Sequence, residues 1–177
     1  MQVRKEQWIE LGYKLFAISG PNSLKIEVLA KMMGISKSSF YHHFAEMDIF
    51  IEYLMQYHLE QSKVIAQKEH GAERIVPDLL HILIDHSSDL LFNKQLRVHQ
   101  HIPLYHRTLQ ASNDIIGNGF ITLWIKDIDL RLTKKQVEGL FTLALENFFL
   151  QINSDTLNEQ WLTSYFESLK RIAKSFE

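Results

Sequence analysis

Apolar residues recur along the chain at intervals of three and four, the period of helices that bury one face. Trp8, Leu11, Leu15 and Ile18 form the first such row, which stops at the turn-forming cluster Ser19-Gly20-Pro21-Asn22. Ile26, Leu29, Ala30 and Met33 form a second, short row closed by Gly34, a residue able to take the left-handed conformation that ends many helices. Ser36 then reads as the N-cap of a third helix, with Ile35 and Phe40 placed to pack as a hydrophobic staple. A long helix is expected from about Met47 to Lys68, ended by Gly71, and further helices around Val76 to Phe92, Leu96 to His101 and Pro103 to Lys126, with a weak spot at Gly117 and Gly119. Two capping boxes, Thr133 to Gln136 and Thr156 to Glu159, open the last two helices.

Those last two segments are apolar on more than one side. Phe141, Leu145, Phe149 and Ile152 in the first, and Trp161, Tyr165, Phe166 and Leu169 in the second, make stripes that a chain this short cannot easily cover alone. The economical expectation is a homodimer in which the two helices meet their copies as a four-helix interface. Composition agrees with an all-α protein: 46% of 177 residues are hydrophobic, with only 7 Gly and 3 Pro to make turns.

Cysteine is absent, which removes disulfides, thiolate zinc sites and a Cys nucleophile. The first six residues lack the apolar run of a signal peptide and no segment is apolar enough to span a membrane, so a soluble cytoplasmic protein with no membrane partner is expected. Neither a Gly-rich phosphate loop nor a Ser, His and acid arrangement of the hydrolase kind is present, so the chain reads as a binding protein rather than an enzyme.

The net charge is −2, but residues 1–45 hold six basic and three acidic side chains while the remainder is acidic by five. The third helix adds chemistry to this basic head. Phe40 and Phe44, at i and i+4, would face inward, leaving Lys37, Ser38, Ser39, Tyr41, His42 and His43 largely outward. A solvated helix face usually carries Glu, Lys and Gln; this one carries hydroxyls, imidazoles and an ammonium, all able to bond phosphates or base edges. Short helices with a tight turn before such a face make a helix-turn-helix.

The run Gly34-Ile35-Ser36-Lys37-Ser38-Ser39-Phe40-Tyr41-His42-His43-Phe44, with Leu29-Ala30-Lys31-Met32-Met33 and Leu15-Phe16-Ala17 before it, resembles the recognition-helix region of TetR-type transcriptional regulators over roughly residues 5–55. The resemblance implies a DNA-binding head over residues 1–46 and a helical effector-binding and dimerisation body over residues 47–177. It implies a homodimer on a near-palindromic double-stranded operator, modulated by a small molecule of unknown identity, with no cofactor. By position, Lys37, Ser38, Ser39, Tyr41, His42 and His43 would contact DNA, with Lys25 and Ser36 beside them. Where the family usually has a Thr capping helix two, this chain has Lys25, so that cap falls to Ser23 or Asn22; Met47 and Glu27 stand where relatives often carry basic residues.

Three further expectations concern the body. Met55, Phe92, Tyr105, Phe120, Trp124 and Phe148 are the candidate lining of an effector pocket. Asp78, His81 and Asp85 lie at i, i+3 and i+7 near a histidine-rich stretch (His81, His86, His99, His101, His106), yet that face reads as the solvated side of a helix, and no metal site is assigned. The alternative to a regulator is a helical dimeric adaptor or small-molecule-binding protein that keeps the fold without reading DNA.

Overall fold

A computed structural model describes residues 5–128 and 133–175; within α7 and at the start of α8, the side chains of residues 118–122, 124, 125, 127, 128 and 134 are not described. Among the described residues all regular structure is helical: α1 (Lys5–Ser19), α2 (Ile26–Met33), α3 (Ser38–Tyr41), α4 (Met47–His70), α5 (Leu80–Asp85), α6 (Ser87–Val98), α7 (Pro103–Ile128), α8 (Lys134–Gln151) and α9 (Glu159–Lys174). The all-α expectation therefore holds. No described helix is long and apolar enough to cross a membrane.

The N-terminal end packs around aromatic rings. Phe40 meets Trp8 edge-on at 5.3 Å, Phe44 at 5.0 Å and Phe50 at 5.3 Å, and all four rings are fully or almost fully buried. Close approach of α1 to α4 depends on Gly12, because a Cβ there would lie 2.4 Å from Phe50 Cζ. The burial on α1 is Trp8, Gly12, Tyr13, Phe16 and Ala17, while Leu11 and Leu15 are half-buried and Ile18 is exposed. That helix packs against α2, α4 and α6, so its buried face is wider than a single row and is shifted from the one its aliphatic residues suggest.

Gly34 has φ 68°, the left-handed turn expected of it, and the Ile35 N–H returns to Ala30 O at 3.0 Å. The neighbouring caps differ from expectation. Lys25 precedes α2 without a side-chain cap, and Ser23 Oγ instead donates to Gly20 O at 2.6 Å. Ser36 does not cap α3: its hydroxyl pairs with Ser38 Oγ at 2.7 Å, and α3 is only four residues long. At the other end of the chain Thr133 and Gln136 form the expected capping box. Asn158 rather than Thr156 caps α9, accepting from Trp161 N at 3.0 Å, while Thr156 Oγ1 accepts from Asn153 N at 2.8 Å.

In the body α4 lies along α7 and α1 along α6, with α5 against α9 and α8 against α6 and α7. The helix expected from Val76 to Phe92 is broken at His86 into α5 and α6, and α6 runs on to Val98 where a break had been expected. The helix α7 continues through Gly117 and Gly119 without interruption. Glu46, with φ −155°, starts α4 at the expected division, yet packing is continuous across it. Tyr13 and Phe16 from α1 both stack on Phe92 of α6, at 4.2 and 4.3 Å.

Candidate nucleic-acid interface and buried cavity

The turn and α3 hold Phe40 and Phe44 inside and leave the polar residues outside, as their spacing predicts. Ser36, Lys37, Ser38, Tyr41 and His42 are exposed, Ser39 and His43 are half-buried, and Lys25 is exposed on the approach to α2. Lys37 Nζ is bonded to Glu27 Oε1 of α2 at 2.6 Å, and this contact holds the Glu27 carboxyl below its ordinary range. The head thus presents hydroxyls, imidazoles and Lys25 and Lys31, with its most central ammonium answered by a carboxylate. An exposed pair of this kind is weak, because water screens both charges, so a stronger partner can break it.

Of the six residues expected to line a ligand pocket, Phe148 does so. Met55, Phe92 and Tyr105 are buried elsewhere in the core, Phe92 between Tyr13, Phe16 and the His58 ring, and Tyr105 edge-on to Phe16 at 5.5 Å. Phe120 and Trp124 fall among the side chains outside the described ones. The residues expected to meet a second copy are largely turned inward in the single chain. Phe141, Leu145, Phe149, Tyr165, Phe166 and Leu169 line a cavity within the chain itself, Ile152 is fully buried, and Trp161 is half-buried and stacked on Tyr165 at 5.1 Å. A helix that is apolar all round has to turn one row inward. Here the aromatic row goes in, and Leu143 and Leu150 of α8, with Ile172 of α9, are left at 71%, 77% and 52% exposure.

The cavity, about 90 Å³, lies between α4, α5, α6, α7, α8 and α9, and its lining includes Ile65, Leu83, Phe148, Phe149 and Phe166. Polar groups reach it from α4. His58, Ser62, Ile65 and Glu69, at i, i+4, i+7 and i+11, share the buried face of this helix. Ser62 is satisfied by His58 O at 2.8 Å and by Ser112 Oγ of α7 at 2.9 Å. His58 and Glu69 are not fully satisfied: His58 Nε2 and Glu69 Oε2 are enclosed with no hydrogen-bond partner among the described residues.

A chain of hydrogen bonds leads from His58 into α1 and out to the surface. Tyr13 OH donates to Asp89 Oδ1 at 2.7 Å, which uses its single proton, so the 2.8 Å contact with His58 Nδ1 must have His58 as donor. Burial lowers the His58 pKa to about 3, so the ring is neutral and Nε2 is a bare acceptor. Burial and the Asp89 charge push the Tyr13 hydroxyl well above its ordinary range, keeping it protonated. His86 Nδ1 meets Asp89 Oδ2 at 2.8 Å, and Lys68 Nζ meets His86 Nε2 at 2.9 Å. Lysine has no acceptor, so His86 accepts from Lys68 and donates to Asp89. Burial alone raises the Glu69 pKa to about 8.

The sequence reading missed Glu69, Asp89 and Tyr13 as members of a site. The signal was available on α4, where a His, a Ser and a Glu occupy the stripe that should have been apolar. The histidines of the body do not converge. His86 belongs to the chain above, His99 Nδ1 is bonded to Gln95 O at 3.0 Å, and His81, His101 and His106 are exposed. Asp78 accepts from Glu73 N and Arg74 N at 2.9 and 3.1 Å, closing the turn before α5. Among the described residues no three His, Asp or Glu side chains are grouped to hold a metal ion. Compared with models of known protein families and with curated proteins, the chain matches none.

Proposed function

We propose that this chain is a TetR-type transcriptional regulator that binds operator DNA as a homodimer and responds to a small molecule held in the body. The observation that carries the reading is the division of labour in residues 36–44: two buried phenylalanines anchor a short segment whose exposed side chains are Ser36, Lys37, Ser38, Tyr41 and His42. None of these is acidic, each can donate or accept toward phosphate or base edges, and Lys25 and Lys31 flank them. On DNA, Lys37 exchanges Glu27 for a phosphate, a swap that the weakness of the exposed pair permits.

The second copy meets the exposed row of Leu143, Leu150 and Ile172, in place of the inward-facing row. Two heads then sit one helical turn of DNA apart, roughly 34 Å. A ligand acts on that spacing only through the difference in its affinity for the two states of the dimer. The Tyr13 link is where such a difference could arise, because one residue of α1 shares a proton network with the cavity residue His58.

The test is footprinting of the purified chain on the DNA upstream of its own gene at two salt concentrations. A protected near-palindrome, with log K falling by about 0.9 per phosphate contact for each decade of salt, is the expected result. No protection at low salt overturns the regulator in favour of a helical small-molecule-binding protein, a reading that the Glu27–Lys37 pair favours because it spends the central ammonium within the protein.

A further inference from the structure

Glu69 is the least explained polar group in the molecule. It is a carboxyl almost wholly enclosed, one oxygen lacks a hydrogen-bond partner among the described residues, and it is one of the residues that line an apolar cavity. Burying such a group without a hydrogen bond costs more than burying an apolar side chain of the same shape, so a carboxyl kept there invites a partner from outside the chain. The lining of the cavity indicates its sign. Among the described lining residues the acidic ones are Glu69 and Asp89, there is no Lys or Arg, and His58 is neutral, while Phe148, Phe149, Tyr165 and Phe166 supply aromatic rings, whose faces attract cations. His58 stands at the other end of the same helical face, about 16 Å away along the axis at 1.5 Å per residue.

We infer that the cavity takes an elongated alkylamine-like molecule whose ammonium group sits on Glu69 and whose apolar chain runs along Ile65 toward His58. Any polar group at the far end of that molecule is a hydrogen-bond donor, because His58 Nε2 can only accept. A fatty acid is disfavoured from about pH 8 upward, where Glu69 ionises and a second anion would stand beside it with no Lys or Arg among the described lining residues to answer it. The inference names the ligand class for the regulator reading and depends on that reading only for the use to which the ligand is put.

In the free protein Glu69 holds its proton up to about pH 8. The other titratable groups facing the cavity are His58 on α4, Asp89 on α6 and Tyr165 on α9; α7 contributes Asn113 and α8 only apolar and aromatic residues. An alkylamine, with a pKa near that of lysine at about 10, arrives protonated and must displace the Glu69 proton below pH 8. Its affinity should therefore climb about tenfold per pH unit from pH 6 toward pH 8 and then level off.

The experiment is calorimetric titration of the full chain, without DNA, with decylamine, decanol and decanoate at concentrations below micelle formation. Decylamine should bind at pH 8 about tenfold or more tighter than decanol, with decanoate weakest. Glu69→Gln, which copies the shape of the protonated acid, should remove the pH slope and bring decylamine affinity down to about that of decanol. Equal or tighter binding of decanol or decanoate, an unaltered decylamine affinity in Glu69→Gln, or no binding of any of the three overturns the inference. Because DNA is absent from the titration, a chain that footprints an operator yet ignores amines loses only the ligand class. A chain that binds amines but protects no DNA loses only the regulator reading.

Discussion

The two halves of α4 are built on opposite terms. Its N-terminal half buries Leu54 and places Phe50 against Phe40 and Phe44, beside Trp8, an aromatic cluster in which Trp8 Nε1 is the unpaired buried polar atom among the described residues. Its C-terminal half buries His58, Ser62 and Glu69 on the same face. In the first half polarity is kept for the outer surface, where Ser36, Lys37, Tyr41 and His42 stand on a firm support. In the second it is carried inward and left partly unanswered. Rigid presentation needs a core with no alternatives, whereas a cavity that discriminates needs polar atoms whose satisfaction depends on what occupies it.

The sharpest way to break this contrast is to remove its aromatic side. Phe40→Ala should cost about 4 kcal/mol, because the ring is fully enclosed by Trp8, Phe44 and Phe50 and a cavity would remain. Chemical denaturation checks it; a loss below about 1 kcal/mol would mean that the head collapses readily around the gap and is not the firm support described.

The polar side has the opposite sign. Glu69 has a folded pKa of about 8 against an ordinary value of 4.5. Below pH 4.5 both states of the chain are protonated and the group contributes nothing unfavourable. As pH rises toward 8 the unfolded chain ionises while the folded one does not, so stability is lost across that window. Glu69→Gln removes this titration. Relative to the wild type it should be nearly unchanged near pH 4.5 and more stable by on the order of 4 kcal/mol at pH 8, measured as the difference between the two denaturation curves at each pH. A constant difference across that range would show that Glu69 finds a partner or water in solution.

Local chemistry was legible in the sequence wherever neighbours along the chain decide the outcome. Gly34, the Thr133–Gln136 box and the inward Phe40 and Phe44 follow from contacts within a few residues. What required the tertiary fold was the choice among faces. The row carrying Phe141, Phe149 and Tyr165 is as suitable for a partner copy as for the chain's own cavity, and only the placement of α5, α6 and α7 decides that it turns inward, leaving Leu143 and Leu150 outside. A dimer held by that outer row is open to a milder test. Leu143→Arg should shift the sedimenting species to monomer while changing monomer stability by less than about 0.5 kcal/mol, because the side chain is already in solvent.

The smallest expected effect on the fold, and the most direct on the surface, comes from Glu27. Its pair with Lys37 joins two largely exposed side chains and so contributes little to stability. Glu27→Gln should therefore leave the denaturation midpoint unchanged within error. If Lys37 is a phosphate contact, freeing it removes both the competing bond and a negative charge facing DNA. Affinity for the footprinted site should then rise measurably at low salt, with the gain shrinking as salt screens the charge. Lys37→Glu should abolish binding with an equally small change in stability. If Glu27→Gln left DNA affinity unchanged while Lys37→Glu abolished it, the two residues would act separately, with Lys37 already free of Glu27 in solution. Were neither substitution to alter binding, the contacts would have to lie elsewhere on the head, and the contrast drawn along α4 would survive without its outward face.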